Sequence, residues 1–429
     1  MPSNQTNPVL SSIDLGVALA SPEVTVYFAK NGESFDIVEN QGRWTPYARE
    51  QAMAALDAYA AVSGLTFSVT NDPEDATLRL TKSEVNNGGS LGFTNPPDPA
   101  YGDTQGIVWF NSGPYWSGAK AGLLDPGSYM YTIFLHEFGH GLGLAHPFDT
   151  GGESTIMPSI GDGMGLDQGA YTVMTYNDGW PEAPEGLPDS PAWGWNLGPS
   201  ALDIAVIQAK YGVNTETGAG KTRYVLPSEN EAGTGYLAIW DAGGRDTMVH
   251  KGSAAALIDL RAATLKAGDG GGGWVSHVSG IHGGFTIANG VVIEKALGGS
   301  GSDTLIGNGA DNVLNGRGGT DEISGGAGAD RLIGGGGADV LDGGRGRDVL
   351  TGGAGPDTFV IAPRDGRDRV TDFAANDLLD LTAFGFDNFG EVTDAMSQSG
   401  NALRIDLDRA VLILKAVEIA DITEDMVLI

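Results

Sequence analysis

The segment HEFGHGLGLAHP, residues 136–147, holds three of the six histidines in the chain together with one glutamate. His136 and His140 are four residues apart, so on an α-helix both imidazoles lie on one face at adjoining turns and can reach the same metal ion. Glu137 stands beside the first histidine, where a carboxylate can act as general base on a water molecule without coordinating the metal. The spacing predicts a catalytic metal site on a helix.

A third ligand is predicted from the glycine that follows this pair. Gly143 lies three residues after His140 and can adopt positive φ, which ends the helix and returns the chain so that His146 arrives at the same metal. The chain has no cysteine, so zinc has to use histidine or carboxylate here. Three neutral imidazoles leave one position for water, whose pKa zinc lowers to roughly 7. We therefore predict one catalytic Zn²⁺ bound by His136, His140 and His146.

The alternative for a bare HExxH pattern is a structural or accidental histidine pair. The match here extends over eleven residues with the glutamate and the glycine in place, which disfavours that alternative. The other histidines are His250, His277 and His282, and no partner pattern accompanies them. We interpret these three as structural or surface residues.

Seven consecutive nine-residue units run from 298 to 360 without a gap. Their sixth position is aspartate in every unit except the second, and their eighth position is always apolar. Glycine turns can point bare carbonyls at a cation, and the aspartate completes an oxygen shell. The pattern predicts a parallel β-roll with a buried apolar column, whose folding requires several Ca²⁺ ions between adjacent turns. A Gly-rich disordered linker is the alternative, and the strict phase of both positions disfavours it.

The charge balance limits the partners of the chain. Its 429 residues carry 55 acidic against 24 basic side chains, a net charge of −31, which opposes binding to phosphate backbones and anionic lipid. No run of 18 apolar residues occurs. We expect no nucleic-acid partner and no membrane insertion. The start of the chain also lacks the features of a cleavable secretory signal, so we expect any export address to lie elsewhere.

Changes in composition and repeat pattern along the chain predict four segments. Residues 1–20 form an N-terminal segment that could be a short propeptide, 21–213 a catalytic domain, 214–385 the calcium-binding roll, and 386–429 C-terminal strands. In the catalytic segment we predict a helix that stops at Gly64, strands VTVYFA, TLRL and GIVWFN, and a second helix that ends at Gly212. The stretch GIVWFNSG, residues 106–113, is either an exposed edge strand that pairs with an extended peptide or an ordinary sheet strand.

The segment YTVMTYND supplies Met174 and, two residues later, Tyr176. Together with the extended histidine motif it resembles the metzincin clan, in which a Met-turn lies beneath the zinc site. The tyrosine narrows the resemblance to serralysins and astacins, and the nonapeptide repeats point to the serralysin family of bacterial secreted metalloproteases, over nearly the whole chain. The fold class that this implies is α+β: a metzincin-type zinc protease domain, with a mixed sheet and an active-site helix, followed by an all-β parallel β-roll.

The resemblance also implies roles for individual residues. The zinc ligands map onto the three histidines of the motif and the catalytic glutamate onto Glu137. Tyr176 maps to a tyrosine that can ligate zinc and then stabilise the oxyanion, and Met174 supports the site without touching substrate. The implied calcium ligands in the repeats are Gly299, Gly301, Asp303, Asn308, Ala310, Asn312, Gly316, Gly318, Gly319, Asp321, Gly325, Gly326, Ala327, Gly328, Asp330, Gly334, Gly335, Gly336, Gly337, Asp339, Gly343, Gly344, Arg345, Gly346, Asp348, Gly352, Gly353, Ala354, Gly355 and Asp357.

Some parts of the chain depart from the family pattern. In the second unit Asn308 replaces a glycine and Asn312 the aspartate, which weakens that site, and the loop TETGAG lacks the usual arginine. Upstream of the repeats, DAGGRD resembles the first roll loop of the family. The ligands that it implies are Asp241, Gly243, Gly244, Asp246 and, further along, Glu294. Downstream candidates are Asp372, Asp377 and Asp380.

The resemblance implies a secreted, monomeric, extracellular endopeptidase that acts on protein or peptide substrates. The C-terminal sequence EDMVLI looks like the signals read by type I secretion machinery, an ABC transporter system, and a plain terminal strand is the alternative. Two other functions remain open. One is a calcium-dependent adhesin or toxin module without activity, and the other is a metal-dependent hydrolase of a non-peptide ester or a glycan.

Overall fold

The computed structural model describes residues 7–35, 38–84, 90–112, 122–148 and 165–429. Residues 1–6 of the predicted N-terminal segment lie outside these ranges, and so does Gly113 at the end of the candidate substrate strand. Within the described ranges, no helix is both long enough and apolar enough to cross a membrane.

The first half of the described chain mixes helices with short strands. In chain order its elements are α1 (Pro8–Ser11), β1 (Glu23–Phe28), β2 (Ser34–Phe35), β3 (Val38–Glu39), α2 (Pro46–Ala60), β4 (Thr66–Val69), β5 (Leu78–Ser83), β6 (Gly92–Thr94), β7 (Ile107–Asn111), α3 (Tyr129–Gly141), β8 (Trp195–Asn196) and α4 (Ala201–Tyr211). The side chains of Thr45 and Ser128 accept backbone N–H groups at the beginnings of α2 and α3, which explains where these helices start.

Five of these strands form one sheet in the order β4-β1-β5-β7-β6. β6 is antiparallel to β7, and the other pairs are parallel, so the sheet is mixed as predicted. The interpretation of residues 106–113 as an edge strand is wrong, because β7 lies between β5 and β6. Its residues Ile107–Phe110 are all buried and need neighbours on both sides, whereas the short strand β6 occupies the edge.

The two helix ends that were predicted from glycines have different causes. Gly212 has φ +83° and ends α4, as the sequence predicts. The helix α2, however, ends at Ala60, and Gly64 does not cap it. Gly64 is required for close packing, since a Cβ there would lie 2.4 Å from the Tyr211 carbonyl oxygen. The prediction that Gly64 stops the helix is therefore wrong.

The second half of the chain consists almost entirely of strands. In chain order they are β9 (Arg223–Val225), β10 (Gly235–Ile239), β11 (Thr247–Val249), β12 (Ala256–Asp259), β13 (Ser276–Val278), β14 (Gly284–Ile287), β15 (Lys295–Leu297), β16 (Thr304–Ile306), β17 (Val313–Gly318), β18 (Glu322–Ser324), β19 (Ala327–Gly328), β20 (Arg331–Gly336), β21 (Val340–Asp342), β22 (Arg345–Gly346), β23 (Val349–Ala354), β24 (Thr358–Val360), β25 (Gly366–Val370), β26 (Leu378–Asp380), β27 (Met396–Ser399), β28 (Ala402–Leu407), β29 (Ala410–Lys415) and β30 (Val427–Leu428), with the helix α5 (Phe389–Asp394) before β27.

The repeat units build two facing parallel sheets. Consecutive units contribute to opposite sheets, so each strand pairs with the strand 18 residues away, as Leu314 pairs with Leu332 and Leu332 with Leu350. The eighth-position side chains point inward between the sheets and are at most 1% exposed. This arrangement confirms the predicted all-β parallel portion, because one apolar residue per unit suffices to fill a core between two stacked sheets.

Both sheets extend beyond the repeats. One reaches β8 at its upstream end and β30 at its downstream end, where Val427 pairs with Leu379, so the C-terminal sequence forms a strand. The other ends in the antiparallel strands β29, β28 and β27. Helix α4 contributes to two cores, with Leu202 packed in that of the first half and Ile204 in that of the roll.

Candidate metal centre

The three predicted histidine ligands converge at one point. His136 and His140 come from the last two turns of α3, and His146 comes from the chain that follows. The Nε2 atom of His146 lies 3.1 Å from Nε2 of His136 and 3.0 Å from Nε2 of His140. The three rings therefore present their Nε2 atoms to a common point.

The opposite ring nitrogens of the two helical histidines face backbone carbonyls. Nδ1 of His136 lies 2.8 Å from the Val173 oxygen, and Nδ1 of His140 lies 2.9 Å from the Leu144 oxygen. These carbonyls accept Nδ1–H, which leaves each Nε2 lone pair directed at the common point. Burial and the two neighbouring histidines lower the pKa of His136 well below its ordinary value, which favours the neutral imidazole that binds metals.

This arrangement fits zinc. Two nitrogens that each lie about 2.1 Å from a tetrahedral ion are about 3.4 Å apart, close to the observed spacings. Facing lone pairs repel one another unless a cation lies between them. The donor set of three imidazoles, with a fourth direction opening into a cleft, is that of a catalytic zinc site.

A tight turn brings the third histidine back to the helix. Gly143 has φ +90°, and a Cβ there would lie 2.3 Å from the Val17 carbonyl oxygen. The next residue, Leu144, forms an isolated antiparallel bridge with Asp14, so the N-terminal segment packs against the turn. The glycine is needed both for its φ and for this close approach, and the turn predicted at Gly143 is present.

The edge strand β6 holds Glu137 beside the histidines. This side chain is only 5% exposed, and the Thr94 hydroxyl donates to its Oε2 at 2.9 Å and lies 2.9 Å from its backbone oxygen. A Cβ on Gly92 would lie 2.6 Å from Oε1 of Glu137, so a larger residue there would displace the Glu137 side chain. Burial raises the pKa of Glu137 to about 8, and the bond from Thr94 opposes that shift. No local sequence pattern indicates these roles of Thr94 and Gly92.

The turn around Met174 lies beneath the histidines and is anchored from α4. Met174 is fully buried, and its Sδ would lie 2.5 Å from a Cβ placed on Gly139 of α3. Asp203 accepts hydrogen bonds from the Val173 N–H at 2.8 Å and from the Thr172 hydroxyl at 2.6 Å. Asp203 thus holds the turn whose carbonyl orients His136, a role that sequence reasoning missed.

Tyr176 lies on the solvent side of the site and is 67% exposed. Its ring centroid is 5.7 Å from that of His136 and 4.9 Å from that of His146. The structure therefore brings Tyr176 next to the triad, as the sequence predicts for a residue that acts there.

A cleft of about 560 Å³ opens over the site. Its walls include the triad, Glu137, strand β6 and the segment from Thr175 to Asp178. The Tyr129 side chain hydrogen-bonds to the Asp178 carboxyl, and burial raises the pKa of Asp178 to about 6. Because β6 is the edge of the sheet and lines the cleft, an extended ligand can lie beside it.

In the roll, one oxygen of the sixth-position aspartates binds the backbone. The Asp303 N–H donates to Asp321 Oδ1 at 2.8 Å, and the Asn312 N–H donates to Asp330 Oδ1 at 2.7 Å. The second oxygen, Oδ2, is buried without a donor from the described part of the chain in four of these side chains, Asp321, Asp330, Asp339 and Asp348. Burial raises the pKa of Asp321 to about 6 and that of Asp330 to about 7.

These four turns fit Ca²⁺. A buried carboxylate oxygen without a donor is costly, and a hard cation with oxygen ligands satisfies it. The glycines explain how the carbonyls and carboxylates approach one another. A Cβ on Gly334 would lie 2.3 Å from Asp339 Oδ2, and one on Gly337 would lie 1.7 Å from the Gly319 carbonyl oxygen of the preceding turn.

The first two repeat units differ from the four that follow, because donors from the chain satisfy their oxygens. Both oxygens of Asp303 accept backbone N–H groups, at 2.8 and 2.6 Å. Asn308 Nδ2 donates to the carbonyls of Leu260 and Ile293 at 3.1 and 2.9 Å. Arg317 Nη1 donates to the Gly298 carbonyl at 2.8 Å. These turns fit a calcium ion less well than the four downstream turns.

The upstream loop brings its predicted carboxylates together. Asp241 and Glu294 lie close enough to Asp246 for their negative charges to raise its pKa, to which burial contributes most. Asp246 Oδ2 is buried and accepts no hydrogen bond from the described residues, which fits a cation. Gly243 and Gly244 have φ +129° and +150°, as a tight carbonyl-presenting loop requires.

Two of the three downstream candidates accept backbone N–H groups on both carboxylate oxygens, whereas Asp380 accepts the N–H and the hydroxyl of Thr382 on Oδ1. Asp372 accepts the backbone N–H groups of Gly352 and Gly353, and Asp377 accepts those of Asp357 and Ala374. Each of these oxygens already accepts one backbone N–H, so these two positions fit a cation less well than the buried Oδ2 atoms of the four repeat turns.

One further aspartate also accepts a backbone N–H group in the roll. Asp368, which sequence reasoning missed, accepts the Asp348 N–H at 3.0 Å and so continues the aspartate column.

His250 is buried, and its Nε2 lies 3.0 Å from the Ala254 carbonyl oxygen. His277 packs against Trp180, and His282 packs against Trp193. None of these three belongs to the histidine cluster, in keeping with their interpretation as structural or surface residues.

Known proteins match this chain over much of its length. The family model described as "Peptidase M10 serralysin C terminal" matches residues 202–426, more than half of the chain. Serralysin B from Dickeya chrysanthemi is 34% identical over 278 residues, which cover 62% of this chain and 54% of that protein. A serralysin from Photorhabdus laumondii is 32% identical over 275 residues, 60% of this chain and 52% of that protein. Metallopeptidase AprA from Pseudomonas marginalis is 32% identical over 273 residues, 60% and 54%. The chain thus spans about half the length of the curated relatives it matches.

Proposed function

The chain belongs to the serralysin family, and from this premise we propose that it is a zinc-dependent endopeptidase that hydrolyses peptide bonds of extracellular proteins. The observation that carries the proposal is the convergence of three Nε2 atoms beside a buried glutamate in one open cleft. The catalytic unit, residues 21–213, is then a metzincin-type domain, and the N-terminal segment packs against the turn that precedes its third histidine.

Zinc, when bound by the three histidines, polarises the scissile carbonyl and acidifies water. Glu137 accepts the proton of the attacking water and returns it to the leaving amine nitrogen. Thr94 keeps the carboxylate in place through its hydrogen bond to Oε2. Tyr176, exposed at the cleft edge, is placed to donate its hydroxyl hydrogen to the developing oxyanion.

The substrate backbone pairs with the edge strand β6. This strand lines the cleft next to Glu137, and its outer edge has no strand partner in the sheet as described. An extended peptide that adds to this edge brings a backbone carbonyl past the histidines, whatever its side chains. Pairing with an extended peptide is therefore assigned to β6 and not to residues 106–113.

Calcium stabilises the roll, residues 214–385, and does so most strongly at the four downstream turns. Their buried Oδ2 atoms would otherwise stay unsatisfied, as at Asp339 and Asp348. The first units, closed by Asn308, Asn312 and Arg317, require no ion to satisfy their oxygens. Binding of calcium then drives folding of the downstream turns.

We also propose export through type I secretion machinery, with residues 386–429 carrying the signal. The support is the acidic pair followed by four apolar residues in EDMVLI together with a roll that folds only where calcium is abundant. The exported enzyme acts outside the cell as a monomer.

A casein cleavage assay tests the proposed activity. The wild-type protein in calcium is expected to cleave casein, to stop when a zinc-selective chelator is added, and to recover with Zn²⁺. Glu137→Gln should retain zinc and lose cleavage by several orders of magnitude. Glu182→Gln, a carboxylate outside the zinc cleft, is the matched control.

Three outcomes would contradict the proposal. Full casein cleavage after removal of zinc would exclude the mechanism. Hydrolysis of an ester or glycan substrate without any peptide cleavage would indicate the other hydrolase class, and a zinc-loaded protein that hydrolyses nothing would indicate the adhesin.

A further inference from the structure

The cleft over the histidines continues into a second cavity of about 520 Å³. Three residues, Tyr129, Tyr176 and Asp178, line both cavities, so the second forms a side lobe of the cleft. The far wall of this lobe includes Leu187 and Asp189. A ligand that crosses the histidines can therefore place one side chain into the lobe.

Asp178 stands at the junction of the two cavities, beside the Tyr129 side chain. Tyr129, the first residue of α3, hydrogen-bonds to its carboxyl group. The Tyr129 ring packs edge-on against Trp195, with ring centroids 4.8 Å apart. The backbone N–H of Tyr129 also donates to the Pro191 carbonyl at 2.8 Å. The Tyr129 side chain beside this carboxylate is thus held in place at the entrance of the lobe.

Among the described residues of the cleft, no cationic side chain faces the charge of this carboxylate. The described residues that line the two cavities include neither Lys nor Arg, while Glu137, Asp178 and Asp189 are among them. A cationic ligand group would pair with a carboxylate that is already partly removed from water, where such pairs are stronger than on the surface.

The distance between Asp178 and the histidines matches the length of a side chain on a substrate residue next to the scissile bond. Tyr129 precedes His136 by seven residues on α3, which is about 10 Å along the helix axis. The Cα of Asp178 lies at most about 7 Å from that of Tyr176, whose ring stands beside the triad. A long, flexible side chain, such as that of Lys or Arg, bridges such a distance with its apolar stem along the Tyr129 and Tyr176 rings.

Resting on the proposed peptidase function, we infer that Asp178 makes the enzyme selective for substrates with a Lys or Arg side chain next to the scissile bond. The substrate class is therefore basic peptide segments. The basic group enters the side lobe and pairs with the Asp178 carboxylate, while the peptide backbone lies along β6.

Matched fluorogenic peptides test this assignment. Each of the two positions that flank the scissile bond carries Lys, norleucine or Glu in turn, and kcat/KM is measured for every peptide with the calcium- and zinc-loaded protein. At one of the two positions the wild type is expected to prefer Lys over norleucine by about 10-fold, the size of one hydrogen bond to a charged group. Asp178→Asn is expected to reduce this preference to within about twofold.

Two further variants separate selectivity from structure. Tyr129→Phe removes the hydrogen bond but keeps the negative charge, so the preference for Lys should persist. Asp189→Asn removes a charge from the far wall and should also leave the preference in place. If Asp178→Asn instead lowered kcat/KM for all peptides by the same factor, Asp178 would have only a structural role and the inference would be overturned.

The remaining outcomes are equally distinct. Zinc-dependent cleavage of Lys and norleucine peptides at equal rates would overturn the inference and leave the proposed function intact. Loss of the preference in Asp189→Asn to the same extent as in Asp178→Asn would assign it to the general negative charge of the lobe and overturn the role of Asp178. Cleavage of none of the peptides would overturn both proposals.

Discussion

Replacing Asp203 should show how strongly zinc binding depends on the turn that Asp203 holds, because the substitution leaves the three histidines unchanged. This fully buried side chain lies on α4, far along the chain from the histidines. Its Oδ2 accepts the N–H groups of Val173 and Ser200, both at 2.8 Å. Since the carbonyl of Val173 orients His136, Asp203 reaches the metal site through the turn that it holds.

The expected magnitudes follow from the hydrogen bonds. Asp203→Ala leaves two buried N–H groups without an acceptor, at about 1–3 kcal/mol each, so the free energy of unfolding should fall by about 2–6 kcal/mol. Asp203→Asn keeps an oxygen for both N–H groups, and the Thr172 hydroxyl can rotate to accept the new amide hydrogen. This variant should lose only about 1 kcal/mol, the difference between a charged and a neutral acceptor.

Zinc affinity and unfolding should be measured together. Competition with a chelating dye should give a zinc dissociation constant about 10-fold higher for Asp203→Ala, since the group that orients His136 is then loose. Urea unfolding in excess calcium should give the stability order wild type, Asp203→Asn, Asp203→Ala. If Asp203→Ala bound zinc as tightly as the wild type, or if Asp203→Asn were equally damaging, the assigned role would be wrong.

Three further predictions concern the general base, the glycine turns and the effect of pH. Thr94→Val should lower kcat/KM by about 10-fold with unchanged zinc content, because Glu137 loses its hydrogen-bond donor. Thr94→Ser should restore the activity. Equal activity of the wild type and both variants would contradict a role for this hydrogen bond. Gly337→Ala should destabilise the calcium-loaded roll by at least about 1–2 kcal/mol, approximately the cost of positive φ alone. Gly309→Ala should not destabilise it, because a Cβ at that position meets open space. Urea unfolding measures both effects. Burial raises the pKa of Asp330 from 3.8 to about 7, so the folded calcium-free roll retains a proton that the unfolded chain has lost between those pH values, and its stability should fall as pH rises through that window. Circular dichroism without calcium should therefore show more residual strand structure at pH 5 than at pH 7.5. Calcium should reverse the order because it binds the ionised carboxylate. A strand content that does not depend on pH would refute the buried-carboxylate explanation.

Local patterns predicted the parts of the molecule that depend on local spacing. The four-residue interval of His136 and His140 fixes one helix face, and Gly143 permits the turn that follows, so the triad could be predicted from twelve residues. The family and the parallel roll are likewise confirmed, since a nine-residue period dictates both the turns and the inward apolar column.

Contacts between distant segments could not be predicted in the same way. The buried run Ile107–Phe110 predicts a strand but not its neighbours, so β7 was considered as the edge that β6 occupies. Thr94 contacts Glu137 from 43 residues away. Asp203 had a local sign, the capping box with Ser200, but this predicts a helix start and not support of a metal site.

Departures within the roll show a second limit of sequence patterns. Asn308 and Asn312 predict a weakened site in the second unit. The structure adds that Asn308 donates to the Leu260 carbonyl and that Arg317 donates to the Gly298 carbonyl of the first unit. Asp368 lies outside the nine-residue phase yet accepts the N–H of Asp348, 20 residues earlier. A side chain that leaves the register but fills the same place in the stack is visible only once the strands are paired.

Anomalous X-ray diffraction from crystals of the active enzyme, recorded on both sides of the zinc absorption edge, tests the central claim most directly. The account predicts one strong zinc peak about 2.1 Å from the Nε2 atoms of His136, His140 and His146. Fully active crystals without a zinc peak at that point, or with the peak bound by other residues, would contradict it.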